Sequence, residues 1–205
     1  MNWREEIKYP LTQRGDLVLR NLYSLGYREL FPPRIILSTY YDTPDYVLLS
    51  LGRRDVFPRY YVRTRSYDFN PPVLELKIRE GNRSVKCRSS DPKNSIDGFS
   101  DEILWQLQTL GMPAILPLEP KITVSYRRFY LEHPRFLDVV LTLDEDLYCA
   151  PYPYTPDTLF SPGVVELKIN GINCNLPPLP SGVCSAQGHS KIQLAFNSVY
   201  RGLPD

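Results

Sequence analysis

The sequence predicts an α+β protein in which about eight strands form an antiparallel sheet with helices outside it. Three observations predict this. Eight segments alternate apolar and polar residues with the period of two expected of strands with one wet face. Only three segments place apolar residues at helical spacing. About eight strands is also the number at which a sheet can close into an antiparallel β-barrel, a tunnel whose interior side chains just line. If the charged strand faces point into such a barrel, flanking helices and loops must cover their apolar backs. If they point outward, the same residues form a basic plate.

The elements follow in chain order. A strand over about 2–9 sets Arg4, Glu6 and Lys8 on one face. A helix runs from a possible N-cap at Thr12 to Gly26, with Leu17, Val18, Leu22 and Leu25 on its apolar side. A strand over 34–41 follows. The next, over 59–68, places Arg59, Arg63 and Arg65 on one face with Tyr61 and Tyr67. The strand over 72–79 contains Leu74-Glu75-Leu76-Lys77-Ile78, and a short one covers 83–89. A second helix begins after Ser100, with Ile103, Leu104, Leu107 and Leu110 at helical spacing, and stops at Gly111. Strands over 120–130 and 137–144 come next, the first aligning Val124, Tyr126 and Arg128. A strand over 163–169 carries Val165-Glu166-Leu167-Lys168-Ile169, nearly repeating the earlier pentapeptide. The last helix starts near Ser190 and buries Ile192, Ala195, Phe196 and Val199 before Gly202. The stretches Pro151 to Pro162 and Pro177 to Pro180 read as ordered surface loops, because strand and helix patterns resume directly after each.

Length and composition set outer limits. With 205 residues, 42% of them hydrophobic, the chain can bury a real core and reads as one domain over 1–205. It has no run of about 18 apolar residues and its N-terminus lacks a signal-peptide pattern, so it is expected to be cytoplasmic, with no membrane segment. Cys87, Cys149, Cys174 and Cys184 show no Cys-x-x-Cys spacing and do not group with His133 or His189, which argues against a zinc site or a disulfide framework.

Charge is uneven although the chain is formally +1. Residues 59–88 hold eight cations against three acids, and residues 89–160 hold five cations against eleven acids. Global neutrality argues against a general nucleic-acid coat, and tyrosines beside acids on strands argue against a single-strand binding plate. Two like charges about 4 Å apart cost on the order of 4 kcal/mol at an effective dielectric near 20. A convergent basic cluster therefore calls for a polyanion such as a triphosphate or a phosphate chain, gripped by charge-assisted arginine contacts. Carboxylates among those cations, together with phosphate oxygens, form the usual surroundings of Mg2+ or Mn2+.

The motifs occur in a fixed order. They are Arg4-x-Glu6-x-Lys8-Tyr9, Ser38-Thr39-Tyr40-Tyr41-Asp42-Thr43-Pro44, Arg59-x-x-x-Arg63-x-Arg65-x-Tyr67, and Glu75-x-Lys77. Then come Ser84-Val85-Lys86, Val124-x-Tyr126-x-Arg128, Val165-Glu166-x-Lys168 and Ser190-Lys191. No one of them is specific, but the ordered set resembles the VTC domain over roughly residues 3–200. This is the inorganic polyphosphate polymerase domain of the vacuolar transporter chaperone family, a branch of the triphosphate tunnel metalloenzymes.

The resemblance implies a tunnel barrel that binds ATP or another triphosphate and inorganic polyphosphate, with Mn2+ or Mg2+ as cofactor. Carried onto matching positions, Lys8, Arg63, Arg65, Lys77, Lys86, Arg128 and Lys191 contact phosphates, and Arg59, at the head of the same arginine strand, is a further phosphate-binding candidate. Lys191, Arg63, Arg65 and Lys77 are the catalytic candidates. Glu166 is the leading metal ligand, with Glu6 and Glu75 behind it. Lys191 also follows Ser190 at a helix start, where backbone N–H groups favour an anion. Tyr40, Tyr41, Tyr67 and Tyr126 read as barrel packing and Asp42 as a turn residue.

Two departures choose among branches. Arg4 stands where triphosphatases of the superfamily usually place the first Glu of Glu-x-Glu-x-Lys, which favours the polymerase branch. Val140-Leu141-Thr142-Leu143-Asp144 stands where an Arg-x-Ser/Thr-x-Asp pattern is typical, and neither Arg127 nor Arg135 restores the missing arginine in register. The implied reaction moves the γ-phosphate of ATP onto a phosphate or polyphosphate end. The alternatives are a metal-dependent triphosphatase of the same fold and a polyphosphate-binding module without turnover.

Overall fold

In the computed structural model, which describes residues 4–53, 58–88, 109, 118–170, 175–186 and 190–200, eight antiparallel strands close a barrel. They are β1 (Arg4–Pro10), β2 (Arg28–Asp42), β3 (Arg59–Tyr67), β4 (Val73–Glu80), β5 (Arg83–Arg88), β6 (Glu119–Glu132), β7 (Val139–Pro151) and β8 (Thr158–Ile169). Their order around the barrel is β1-β5-β4-β3-β2-β6-β7-β8, closed by β8 against β1. Among the described residues three helices lie on it: α1 (Gly15–Ser24), α2 (Val47–Arg53) and α3 (Lys191–Val199). No helix among the described residues is long and apolar enough to cross a membrane.

The charged faces point inward. Arg63 and Arg65 are 5% and 3% exposed, while the alternate residues of the same strands pack on the outside. There Val62, Leu74, Leu76, Ile78 and Val85 form one cluster with Leu48 of α2. Leu131, Leu141, Leu143, Val165 and Leu167 form another with Val18 and Leu22 of α1. Each fully buried side chain of this size contributes about 1.5–3 kcal/mol. The helices thus cover the apolar backs of strands whose polar faces line a tunnel.

Several boundaries differ from the sequence reading, for local reasons. Helix α1 is capped by Arg14, without a side-chain hydrogen bond, and not by Thr12. The Thr12 amide instead donates to the Gly182 carbonyl and keeps the chain extended. Leu17 of that helix faces solvent. The helix ends as expected at Gly26, with φ of 94°: the Gly26 amide donates to Tyr23 and the Tyr27 amide to Leu22, closing its last carbonyls. Strand β2 starts at Arg28, earlier than expected. Pro32 and Pro33 sit where β2 pairs with β6 alone, at register shifts between Phe31 and Arg34, so their missing N–H groups cost no ladder bond.

Strands β7 and β8 run on through much of the stretch expected to be a proline loop. Helix α2 was not expected. Seven residues give too little periodicity to read, and Asp42 nucleates it by accepting the amides of Thr43, Leu48 and Leu49 at 2.8–2.9 Å. The helix expected after Ser100 lies outside the described residues. Among the described residues Cys149 and Cys184 are free thiols.

Candidate active site

One cavity inside the barrel is lined by Lys8, Arg63, Arg65, Lys77, Lys86, Arg128 and Lys191 together with Glu166. These seven cations therefore reach a single space from six elements, β1, β3, β4, β5, β6 and α3, whereas Arg59 is not among the residues that line it. Arg79 also lines it, and Arg59 lies directly opposite Arg79 in the β3–β4 register. Period-two alternation on twisted strands brings this about, because inward positions of neighbouring strands stack across the lumen.

Four buried carboxylates answer these cations. Glu75, 1% exposed, accepts Arg63 Nε at 3.1 Å and Nη2 at 2.8 Å, and Arg88 Nε at 3.0 Å, with Arg65 Nη1 at 3.8 Å. Glu6 accepts Lys77 Nζ at 2.5 Å, with Lys86 at 3.9 Å. Asp144 takes Arg128 through Nε at 2.5 Å and Nη2 at 2.7 Å, and Lys191 Nζ at 2.8 Å. Glu166 lies 3.8 Å from Lys191 and opposite Lys8 in the β1–β8 register.

These contacts set the protonation states. Burial pushes Glu6 up, as does Glu166, but Lys77, Lys8 and Lys86 outweigh both and hold Glu6 at about 2. Burial likewise opposes ionisation of Glu75, and Arg63 and Arg65 bring it to about 2. Asp144 is held far below the carboxylate range against burial by Arg128 and Lys191, and Glu166 by Lys168, Lys8 and Lys191. The lysines divide. Burial lowers Lys191, yet Asp144 and Glu166 raise it above its ordinary value. Burial and neighbouring Lys77 bring Lys8 down to about 7, and burial with Arg128 does the same to Lys168. Burial and Lys77 also lower Lys86 well below its ordinary value.

Several residues of this site carried no weight in the sequence. Asp144 is the shared counter-ion of Arg128 and Lys191, legible only as the inward position two beyond Thr142. Lys168 is buried, donates to Thr142 Oγ1 at 3.1 Å, and stands opposite both Glu6 on β1 and Val140 on β7. Val140 shares the face of Thr142 and Asp144, so the side chain where an arginine is typical does belong to the lumen face. Arg127 bonds Glu145 and overlies the Phe129 ring on the outer side, which is why it cannot take that place.

Tyr40 and Tyr126 do more than pack. Arg63 donates to the Tyr40 hydroxyl at 3.1 Å, and Arg65 and Arg128 donate to the Tyr126 hydroxyl at 3.2 and 3.4 Å, so the phenols aim the arginines. Ser38 aims Arg65 as well, accepting its Nε at 3.0 Å.

For a divalent metal the donor set is small. Among the described residues no group of three His, Cys, Asp or Glu side chains could hold an ion. Glu166 and Glu6, on adjoining strands and close enough to oppose each other's ionisation, form a two-carboxylate pair. That pair suits Mg2+ or Mn2+, which bind through one or two carboxylates plus substrate phosphate oxygens. Glu75 has its oxygens committed to arginines.

Solved structures with similar folds include the PH1012 protein from Pyrococcus horikoshii OT3, at 12% identity over 83% of this chain and 80% of that one, with a TM-score of 0.47. A candidate adenylate cyclase from Vibrio parahaemolyticus is 16% identical over 82% and 76%, with a TM-score of 0.48. A protein from Hippeastrum with a dominant triphosphatase activity is 17% identical over 82% and 79%, with a TM-score of 0.42. No curated protein matches this sequence. The VTC domain family matches residues 32–179, a span that runs from β2 through β8 and contains five of the seven cations lining the cavity. The chain belongs to the VTC domain family.

Proposed function

We propose that the protein is a polyphosphate polymerase-like phosphotransferase that moves the γ-phosphate of ATP onto a phosphate or polyphosphate end within the tunnel. The observation that supports this is the convergence of Lys8, Arg63, Arg65, Lys77, Lys86, Arg128 and Lys191 with Glu166 on one cavity. The buried cations exceed the buried carboxylates, and a polyanion lying along the lumen would supply the missing negative charge. A closed barrel also keeps a nucleic-acid duplex from these side chains.

Phosphoryl transfer depends on positioning and charge neutralisation more than on a protein nucleophile. Arg63 and Arg65, locked by Tyr40, Tyr126 and Ser38, hold the triphosphate in one orientation. Lys77 and Lys86 flank it from β4 and β5. Lys191, kept charged by Asp144, meets the negative charge that develops as the bond from the γ-phosphorus to the ADP oxygen breaks. The bond that forms joins the γ-phosphorus to an oxygen of the acceptor phosphate, and ADP leaves. Mn2+ or Mg2+ held by Glu166 and Glu6 would add charge neutralisation on phosphate oxygens.

Purified protein incubated with ATP and Mn2+, its products resolved on a polyphosphate gel, tests the reading. A ladder of chains with ADP supports it. ADP with orthophosphate alone makes the protein a triphosphatase. Polyphosphate binding that is lost in Arg63→Ala with Arg65→Ala, without ADP release, makes it a binding module. Val140 favours that last outcome among the alternatives.

A further inference from the structure

The Tyr40 hydroxyl is bonded on one side only. Tyr40 stands on β2 opposite Arg63 of β3 and Ile122 of β6, and its ring packs in a cluster with Leu49 of α2 and Ile192 and Phe196 of α3. Arg63 Nη1 lies 3.1 Å from the phenol oxygen, and because a guanidinium has only donors the direction of that bond is fixed: Tyr40 accepts. Its own O–H proton is unspent. Among the described residues no carbonyl, carboxylate or hydroxyl oxygen accepts it. Tyr40 is only 7% exposed and lines the cationic cavity, so an acceptor for this buried donor can arrive through that space.

The surroundings select which acceptor. Arg63 and Arg65 act on the phenol from β3 and Lys191 from α3, while Tyr126 of β6 takes Arg65 and Arg128 on its own hydroxyl. Burial pushes the Tyr40 phenol up, but Arg63, Arg65 and Lys191 outweigh it and hold it below its ordinary value. Three cations around one donor repel a cationic ligand group and favour an acceptor that is itself anionic. We propose that Tyr40 touches the substrate, its O–H donating to an oxygen of the phosphate group nearest α3 while Arg63 and Lys191 neutralise that group. This goes beyond aiming Arg63, which uses only the phenol oxygen. The proposal rests on the tunnel being a polyanion site, so its test separates the two.

Calorimetric titration of the full chain with tripolyphosphate, repeated on two variants, provides that test. Tyr40→Phe removes both the oxygen and its proton, whereas 4-aminophenylalanine in place of Tyr40 keeps a donor of similar size but accepts poorly from Arg63. Affinity is expected to fall about tenfold in Tyr40→Phe, the scale of one hydrogen bond to a charged group, and to stay close to wild type with the amine. Phenolate absorbance gives a second readout. The chain has 15 tyrosines, and among the described residues every other tyrosine with a shifted phenol is shifted upward, so the Tyr40 phenolate should form first. That early phenol should be missing from both variants and should move to higher pH in wild type when tripolyphosphate binds, because donation requires the proton.

Equal weakening in the two variants would reduce Tyr40 to a residue that only aims Arg63, and unchanged affinity in Tyr40→Phe would remove it from the site; either overturns the contact. So does an early phenol that bound tripolyphosphate leaves in place, a measurement on wild type that decides the matter if Tyr40→Phe does not fold. A wild-type protein that binds no tripolyphosphate overturns the tunnel reading, and the Tyr40 contact with it.

Discussion

Glu75→Gln offers the sharpest test of how the tunnel is held together. The substitution keeps the shape of the side chain and removes its charge. In the folded protein Glu75 is 1% exposed and carries Arg63 through two hydrogen bonds, so Arg63 would be left buried with only neutral acceptors, the Gln amide oxygen and the Tyr40 hydroxyl, and no counter-charge from that position. Removing one partner of a buried ion pair costs about 3–5 kcal/mol. For a chain of this length about 1 kcal/mol moves the melting temperature by roughly 2–4 °C, so the variant should melt roughly 6–20 °C below wild type.

The same logic predicts a rescue. A polyanion in the lumen replaces the lost counter-charge, so tripolyphosphate should stabilise Glu75→Gln more than it stabilises wild type. At 100 times its dissociation constant a ligand contributes about 2.7 kcal/mol, and each further tenfold in affinity adds about 1.4 kcal/mol. Thermal unfolding with and without tripolyphosphate measures both effects, and Mn2+ titration measures a third. Equal ligand increments in the two proteins would refute the counter-ion argument, as would a melting temperature within about 2 °C of wild type. Loss of Mn2+ affinity would instead make Glu75 a metal ligand.

Four further outcomes follow from the same geometry. Burial with neighbouring Lys77 and Arg128 brings Lys8 and Lys168 down to about 7, so a polyanion bound at pH 8 should draw protons onto them; calorimetry in buffers of different ionisation enthalpy should show uptake of up to about two protons, and none would refute it. Because their folded pKa values lie below the unfolded 10.5, the unfolded chain binds more protons between pH 7 and 10.5, and their contribution to stability rises with pH across that window. Gly163→Ala would place a Cβ against the Asp144 carbonyl at φ of 152°, shifting the strand that holds the partner of Arg128 and Lys191; tripolyphosphate affinity should drop together with melting temperature, and an unchanged affinity would sink the link. Val140→Arg adds a lumen cation opposite Lys168, and one charge-assisted contact of about 1.5–3 kcal/mol should tighten tripolyphosphate roughly tenfold or more, measurable by titration.

How much was legible in the sequence follows from what periodicity can encode. Alternation reports which residues share a face, so Arg63 with Arg65, Glu75 with Lys77 and Glu166 with Lys168 were visible as pairs. It does not report which way the face points. That depends on closure, a property of all eight strands together, and on helices supplying apolar cover. Nor does it report partners across strands. Register alone places Glu6 opposite Lys168 and Lys8 opposite Glu166, and it depends on shifts such as the one between Ser125 and Arg127. Asp144 was passed over for the same reason: its importance lies in Arg128 and Lys191, which reach it from another strand and a distant helix. Helix α2 left too short a pattern, and its cap at Asp42 looked like any turn aspartate.

The twin pentapeptides show what partner choice does. Both present Glu and Lys to the lumen, yet Glu75 is surrounded by arginines and Lys77 reaches past its own strand to Glu6, whereas Glu166 shares Lys191 with Asp144 and Lys168, among the described residues, donates to Thr142 alone. Three carboxylates, Glu75, Glu6 and Asp144, therefore hold the cations in place as a phosphate would, and Asp144 also raises Lys191. Polyanion binding then need not create the arrangement; it competes with internal carboxylates for cations already in place. That competition weakens binding by the strength of the internal pairs, and it also leaves Lys8 and Lys168 as the groups whose charge responds most to an arriving phosphate. Affinity for a short chain such as tripolyphosphate should accordingly depend on pH near 7 far more than the arginine contacts alone would allow.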